Sequence, residues 1–262
     1  MNGLIAFIDI LGYQSFLRNN VATESALRVL DIITSLPGTV QADFNKRWSE
    51  TKFPANIPER LKHVIFSDTI VVTMSYSDEK ERRAAFLYMT VFASELVAKM
   101  FSEGLPVRGV LHEGDFVVKD TCFAGGGIVD AYQLCSRLDF SGLVCSPTLA
   151  KTALGWQQET KPYIQEDSFS DSFVSFLSST KEGEERLLHV NWLRGFKGGP
   201  PDDIRKDVDR FVLSSFWGHK KDCPASADSK VHNTTKLIRR LLITVDEMQK
   251  RRLSNSPAKK KS

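Results

Sequence analysis

The apolar positions of this chain fall into short runs divided by polar punctuation. "GLIAFIDILG" makes residues 4–10 a buried strand, because Leu, Ile and Phe occupy both alternating faces. Residues 13–35 carry Phe16, Leu17, Leu27, Leu30 and Ile33 at helical spacing, with a break in "RNNVATES" and a fresh N-cap near Thr23. Pro37-Gly38 is expected to stop that helix, and residues 40–60, with Pro54 and Pro58, to form a loop or irregular insertion. "LKHVIFSDTIVVTMSYS" reads as two strands turning at Ser67-Asp68. "DEKERRAAFLYMTVFASELVAKMFSEG" reads as a helix capped by Asp78 and ended by Gly104. "LPVRGVLHEGDFVV" follows as one long bent strand, then a short helix over 129–139, the strand "GLVCS" and a helix opened by Pro147. Residues 155–185 are polar and serine-rich and read as irregular, "RLLHVNWL" as the last strand, and 202–217 and 229–252 as helices.

The order strand, helix, hairpin, helix, strand predicts an α+β fold. It is a ferredoxin-like βαββαβ arrangement, an antiparallel sheet with helices on one face, followed by extra C-terminal helices. Three units are expected: residues 1–197 as the main domain, 198–253 as a helical extension, and 254–262 as a disordered basic tail. In such a sheet the first strand is central. Asp9 then lies at its end, and Asp68 at the tip of the neighbouring hairpin.

Composition narrows the function. The chain has 262 residues and a net charge of +3, part of it in the tail "SPAKKKS", so no broad basic field argues for nucleic acid. Cys122, Cys135, Cys145 and Cys223 form no CxxC pair or zinc spacing and read as free thiols in a reducing cytoplasm. No apolar run approaches the roughly 20 residues of a membrane span, and no basic leader opens the chain. A cytoplasmic protein with no preceding sensor domain and no membrane partner is expected.

The chemistry concentrates on Asp9 and Asp68. An unpaired buried carboxylate is costly, so Asp9 must be solvated at a strand end, paired, or bound to a metal. Each Asp alone also suits an ordinary strand end or turn. Two that converge would repel without a cation, and around one or two divalent ions they are stable. Hard oxygen ligands suit Mg²⁺ or Mn²⁺, and the main-chain carbonyl of Ile10 could add a further donor.

Five motifs in order resemble the class III nucleotidyl cyclases. "FIDILGY" looks like their first metal motif, and "VIFSDTIVV" resembles their hairpin with Asp68 as the second metal Asp. "VRGVLHEGD" is similar to their next strand at Arg108, His112 and Gly114. "VDAYQLCSRLD" matches their helix at Asp130, Ala131, Ser136, Arg137 and Leu138, and "GLVCSPTL" follows as their strand and helix do. The resemblance implies two Mn²⁺ or Mg²⁺ ions per site, held by Asp9, Ile10 and Asp68. It implies a head-to-tail homodimer with composite sites, in which Gln133 and Arg137 of the other protomer are the catalytic groups. The implied reaction is cyclisation of a nucleoside triphosphate with release of pyrophosphate.

The departures concern the base. Where ATP-using members carry an adenine-reading Lys, this chain has Val64; where they carry a second reader, it has Gly126; and Gln133 aligns with their catalytic Asn. The pattern is similar to the Pycsar pyrimidine cyclases, short bacterial enzymes of antiphage defence. Their cyclic UMP or cyclic CMP activates a separate effector. UTP is therefore the favoured substrate, with CTP next. An inactive cyclase-homology domain and an ordinary adenylate or guanylate cyclase remain as alternatives. Gly12, Tyr13, His63, Val64 and Lys197 are the candidate nucleotide contacts, with His63 and Lys62 able to fill space left by a smaller base. Arg108 could pair with a carboxylate or reach phosphate. His112 and the glycine run "CFAGGGIVD" read as structural. The helix "TTKLIRRLLITVDEMQKRR" is amphipathic and reads as a docking or dimer-supporting element.

Overall fold

In the computed structural model, which describes residues 1–20, 23–50, 54–120, 122–159, 172–220 and 225–255, strand β1 (Asn2–Ile10) lies at the heart of a seven-stranded sheet. It pairs antiparallel with β3 (Thr69–Ser75) on one side and β4 (Val107–Asp115) on the other. β2 (Leu61–Phe66) completes the hairpin with β3 at one edge of the sheet. Beyond β4 lie β7 (Gly142–Cys145), β9 (Gly183–Val190) and the other edge strand, β8 (Phe173–Thr180), giving the order β2-β3-β1-β4-β7-β9-β8. The first four strands, with helices between, are the expected βαββαβ arrangement. The pairing of β4 with β7 is parallel, so the sheet is mixed rather than wholly antiparallel.

Helix α1 (Tyr13–Asn19) begins directly after β1, and α2 (Thr23–Trp48) follows. Proline does not stop α2. Pro37 lies inside the helix, which continues to Trp48 where a loop was expected. The reason is burial: Val29, Ile33, Pro37, Val40, Phe44 and Trp48 form one buried stripe at three- and four-residue spacing. That apolar stripe outweighs the hydrogen bond proline removes. Helix α3 (Glu79–Ser102) is capped as expected, Asp78 accepting from the Glu81 N–H, and Gly104 takes a left-handed turn after it. Contrary to the reading of apolar runs, α3 is long and apolar enough to cross a membrane, but 83% of that window is buried inside the fold. It is a core helix.

The "long bent strand" divides at Phe116. β4 ends at Asp115, and β5 (Val117–Lys119) leaves the main sheet to pair with β6 (Cys122–Ala124). Helix α4 (Gly126–Arg137) then packs on β1 and β4, and α5 (Pro147–Glu159) follows β7. Helices do not share one face. Glu113 of β4 pairs with Arg82 of α3 at 2.6 Å, whereas Phe7 of β1 meets Tyr132 of α4 edge-on at 5.7 Å. Phe7 lies across from Val110, three residues from Glu113 and hence on the other side of the pleat. α3 and α4 thus sandwich the sheet.

Residues 173–180 form β8, where an irregular segment was expected; the alternating inward positions are Val174, Phe176, Ser178 and Thr180, and their apolar signal is diluted in sequence by hydroxyl side chains. The expected helix over 202–217 is two, α6 (Asp202–Lys206) and α7 (Val208–Phe216), because Asp207 caps the second through the Arg210 N–H. α8 (Ala225–Asn255) ends the described chain. The expected disordered tail lies outside the described residues from 256 onward. The C-terminal helices share the main core: Ile204, Val212, Phe216, Leu237 and Ile238 belong to the same apolar cluster as β1. Phe211 stacks on Phe101 of α3 at 5.0 Å.

Candidate active site

Asp9 is the next-to-last residue of β1, directly across from Thr69 on β3 and Arg108 on β4. Its carboxylate is four-fifths buried and accepts a 2.8 Å hydrogen bond from Arg108 Nε to Oδ2. The question the strand poses is answered first by pairing. The turn holding Asp68 is tied to the same point, since Ile10 N–H donates to the Asp68 carbonyl at 3.0 Å. Burial raises the Asp9 carboxyl above its ordinary value, the Arg108 guanidinium pulls it back, and the Asp68 charge raises it again. The structure therefore brings Asp9, Ile10 and Asp68 together.

Arg108 holds more than Asp9. Its Nη1 donates to the carbonyls of Ser136, at 3.1 Å, and Leu138, at 3.4 Å, where α4 ends. Lys181, in the turn between β8 and β9, stands close enough to act electrostatically on Asp9, and burial, Arg108 and Lys230 together lower its own pKa. Its backbone N–H donates to the Arg137 carbonyl at 2.9 Å. Sequence reasoning missed Lys181 because β8 was missed. The signal was the turn "TKEG" between two apolar segments.

The other expected residues scatter more widely. Gly12 caps α1 at φ 79, a left-handed conformation that glycine adopts without strain, so β1 can turn sharply into α1. Tyr13 follows, buried, and its hydroxyl is pushed up by burial and by the Asp68 charge, so both residues flank the carboxylates. Val64 is across from Val71, which is across from Phe7, so it shares the Asp9 face of the sheet. His63 is on the opposite face, half-buried, and burial lowers its pKa. Lys197 is not brought to the carboxylates: it pairs with Asp43 of α2 at 2.9 Å. Gln133 is exposed on the outer side of α4. Arg137 is bound by Glu182 at 2.8 Å and Glu185 at 2.9 Å rather than by Asp9.

Among the described residues no cluster of three or more His, Cys, Asp or Glu side chains is placed to hold a metal ion. The donors are two carboxylates, one of them sharing an oxygen with a guanidinium. That set does not make an all-protein cage. It fits a hard divalent cation of the Mg²⁺ or Mn²⁺ type, which keeps waters and takes its remaining oxygens from substrate phosphates.

No protein-family model matches the chain, and no curated protein matches it. Among solved structures, the crystal structure of the guanylyl cyclase Cya2 is similar at 13% identity, covering 72% of this chain and 93% of that chain, with a TM-score of 0.37. A likeness so distant carries no weight for activity, which must be read from the side chains.

Proposed function

We propose that this protein is a divalent-cation-dependent nucleotidyl cyclase that converts UTP, or CTP, to the 3′,5′-cyclic monophosphate and pyrophosphate. The observation that carries the reading is the convergence of Asp9 and Asp68 at one strand end, with Ile10 bonded between them. The ribose 3′-oxygen attacks the α-phosphorus, the bond to the β-phosphate oxygen breaks, and the hydroxyl proton passes to solvent. A cation bound by the two carboxylates would acidify that hydroxyl and take phosphate oxygens. Asp9 is kept in place by Arg108, and Lys181 adds positive charge beside it for the triphosphate.

The catalytic roles of Gln133 and Arg137 rest on a second copy of the chain. Within one chain Gln133 points to solvent, and it is flanked by Val129 and Tyr132, exposed by 52% and 56%. The exposed Val129 and Tyr132 on the outer side of α4 support a homodimer in which this helix faces the other copy's Asp9. The pyrimidine preference rests on Val64 and Gly126, which supply no purine-reading side chain. The role as a messenger-maker in antiphage defence, with a separate effector, rests on the resemblance alone.

A second reading, a nucleotide-binding domain without turnover, is favoured by one observation: Arg108 already neutralises Asp9. Incubation with each ribonucleoside triphosphate and Mn²⁺, followed by mass spectrometry, separates the readings. A cyclic pyrimidine monophosphate supports the proposal. A cyclic purine product overturns the base assignment, and no product from any of the four favours the second reading.

A further inference from the structure

We infer that α8 is a working part of the site, and that Thr234 and Asn233 are positioning residues acting through the end of α4 on the Arg108–Asp9 pair. The catalytic consequence rests on the reading above; the positioning itself does not.

The connection is a chain of short hydrogen bonds. Thr234 is fully buried, and its Oγ1 accepts from the backbone N–H of Ser141 at 2.8 Å. Ser141, also fully buried, donates its Oγ to the carbonyl of Val107 at 2.7 Å. Val107 is the residue before Arg108 on β4. From the preceding residue, Asn233 Nδ2 donates to the Asp139 carbonyl at 3.0 Å and to its Oδ2 at 3.2 Å. Residues 136–141 are therefore gripped from two sides. Arg108 holds the carbonyls of Ser136 and Leu138, and α8 holds Asp139 and Ser141. Leu237, one turn on, approaches Gly142 so closely that a Cβ there would lie 2.8 Å from Leu237 Cδ2.

This arrangement does more than attach a helix. An apolar stripe, Leu237, Ile238, Leu241 and Leu242, already docks α8. The polar pair is added where the loop meets the guanidinium, and a buried N–H left without its acceptor is costly. Because Arg108 orients on carbonyls of this loop, a shift of the loop turns the guanidinium and frees the Asp9 carboxylate. A misplacement of about 1 Å near reacting groups can cost on the order of 10²-fold in rate.

The test follows the side-chain Nε–H of Arg108 by ¹⁵N NMR in the full chain. Bonded to Asp9, that proton is protected from exchange with water. Thr234→Val keeps the shape and removes the acceptor. It is expected to speed exchange of that proton by about tenfold or more, equivalent to roughly 1.4 kcal/mol, and Asn233→Ala to do so to a smaller degree. Thr234→Ser keeps the hydroxyl and should restore the wild-type signal. Leu241→Ala weakens α8 docking without touching the chain of bonds and should leave the signal unchanged. Loss of stability in Thr234→Val with an unaltered Arg108 signal overturns the inference, as does an equal effect from Leu241→Ala. If cyclase activity is present, Thr234→Val should lower kcat about tenfold or more with little change in KM. If it is absent, the NMR result still decides the positioning, so the two readings fail separately.

Discussion

Replacing Arg108 by Met tests whether the guanidinium is what makes the buried Asp9 carboxylate tolerable. Met keeps most of the apolar stem. The change removes the 2.8 Å bond to Asp9 Oδ2 and the two bonds to Ser136 and Leu138. The side chains of Arg108 and Asp9 are only 16% and 20% exposed, so water compensates little. Breaking a fully buried pair by removing one partner costs about 3–5 kcal/mol, and the residual exposure here brings the expectation to about 2–3 kcal/mol. Urea unfolding followed by Trp fluorescence at neutral pH measures it. The sign with pH follows from the carboxyl. Burial has already raised Asp9, and loss of Arg108 raises it further. A protonated Asp9 needs no cation, so the loss is full above the raised pKa and shrinks as pH falls through it. Arg108→Met combined with Asp9→Asn should regain half or more of the loss at neutral pH. A single-variant effect below about 0.5 kcal/mol, or a loss that does not shrink on acidification, would refute the reasoning.

Asp9→Ala and Asp68→Ala should each abolish nucleotide turnover with the far-UV circular dichroism unchanged; retained activity in both removes the cation site. Mixed Asp9→Ala and Arg137→Ala proteins should regain activity through one intact composite site, and heterodimers shown to form without rescue would rule that site out. Pro37→Ala should stabilise the protein by about 1–2 kcal/mol in urea, the roughly 3 kcal/mol helix penalty of proline less two buried methylenes at about 0.8 kcal/mol each. His189 is buried, hydrogen-bonded to Ser178 at 2.7 Å, and burial pushes its pKa down to about 3 from 6.5. It therefore contributes stability above pH 6.5 that is lost as pH falls toward 3, and His189→Gln should flatten that acid limb in pH-dependent melts.

How much of this was legible in the sequence depended on whether local pattern or tertiary contact decided each feature. The strand carrying Asp9 near its end, the turn at Asp68 and the Asp78 cap follow from short-range preferences, and all three lie where expected. Pro37 was misread because a local breaker was weighed without the buried stripe that continues past it. β8 was missed because its serines hide the alternation, and Lys181 went with it. The side of the sheet taken by α4 could not be read at all. β1 is apolar on both faces, so its sequence fits a helix on either. The Asp9 pair was half legible: Arg108 was expected to meet a carboxylate or a phosphate and Asp9 to be solvated, paired or metal-bound, but 99 residues separate them, so neither pointed to the other.

The position of β1 also bears on how the chain is made. Its two neighbours in the sheet are residues 69–75 and 107–115, so among the described strands β1 waits longest for both partners. Until some hundred further residues have been synthesised, "LIAFIDIL" is an apolar segment with two unpaired edges. Such segments are where chains associate wrongly. Pairings this distant in sequence also slow folding. Expression at low temperature, or with added chaperones, is therefore expected to raise the soluble yield more than any change to the surface of the finished fold.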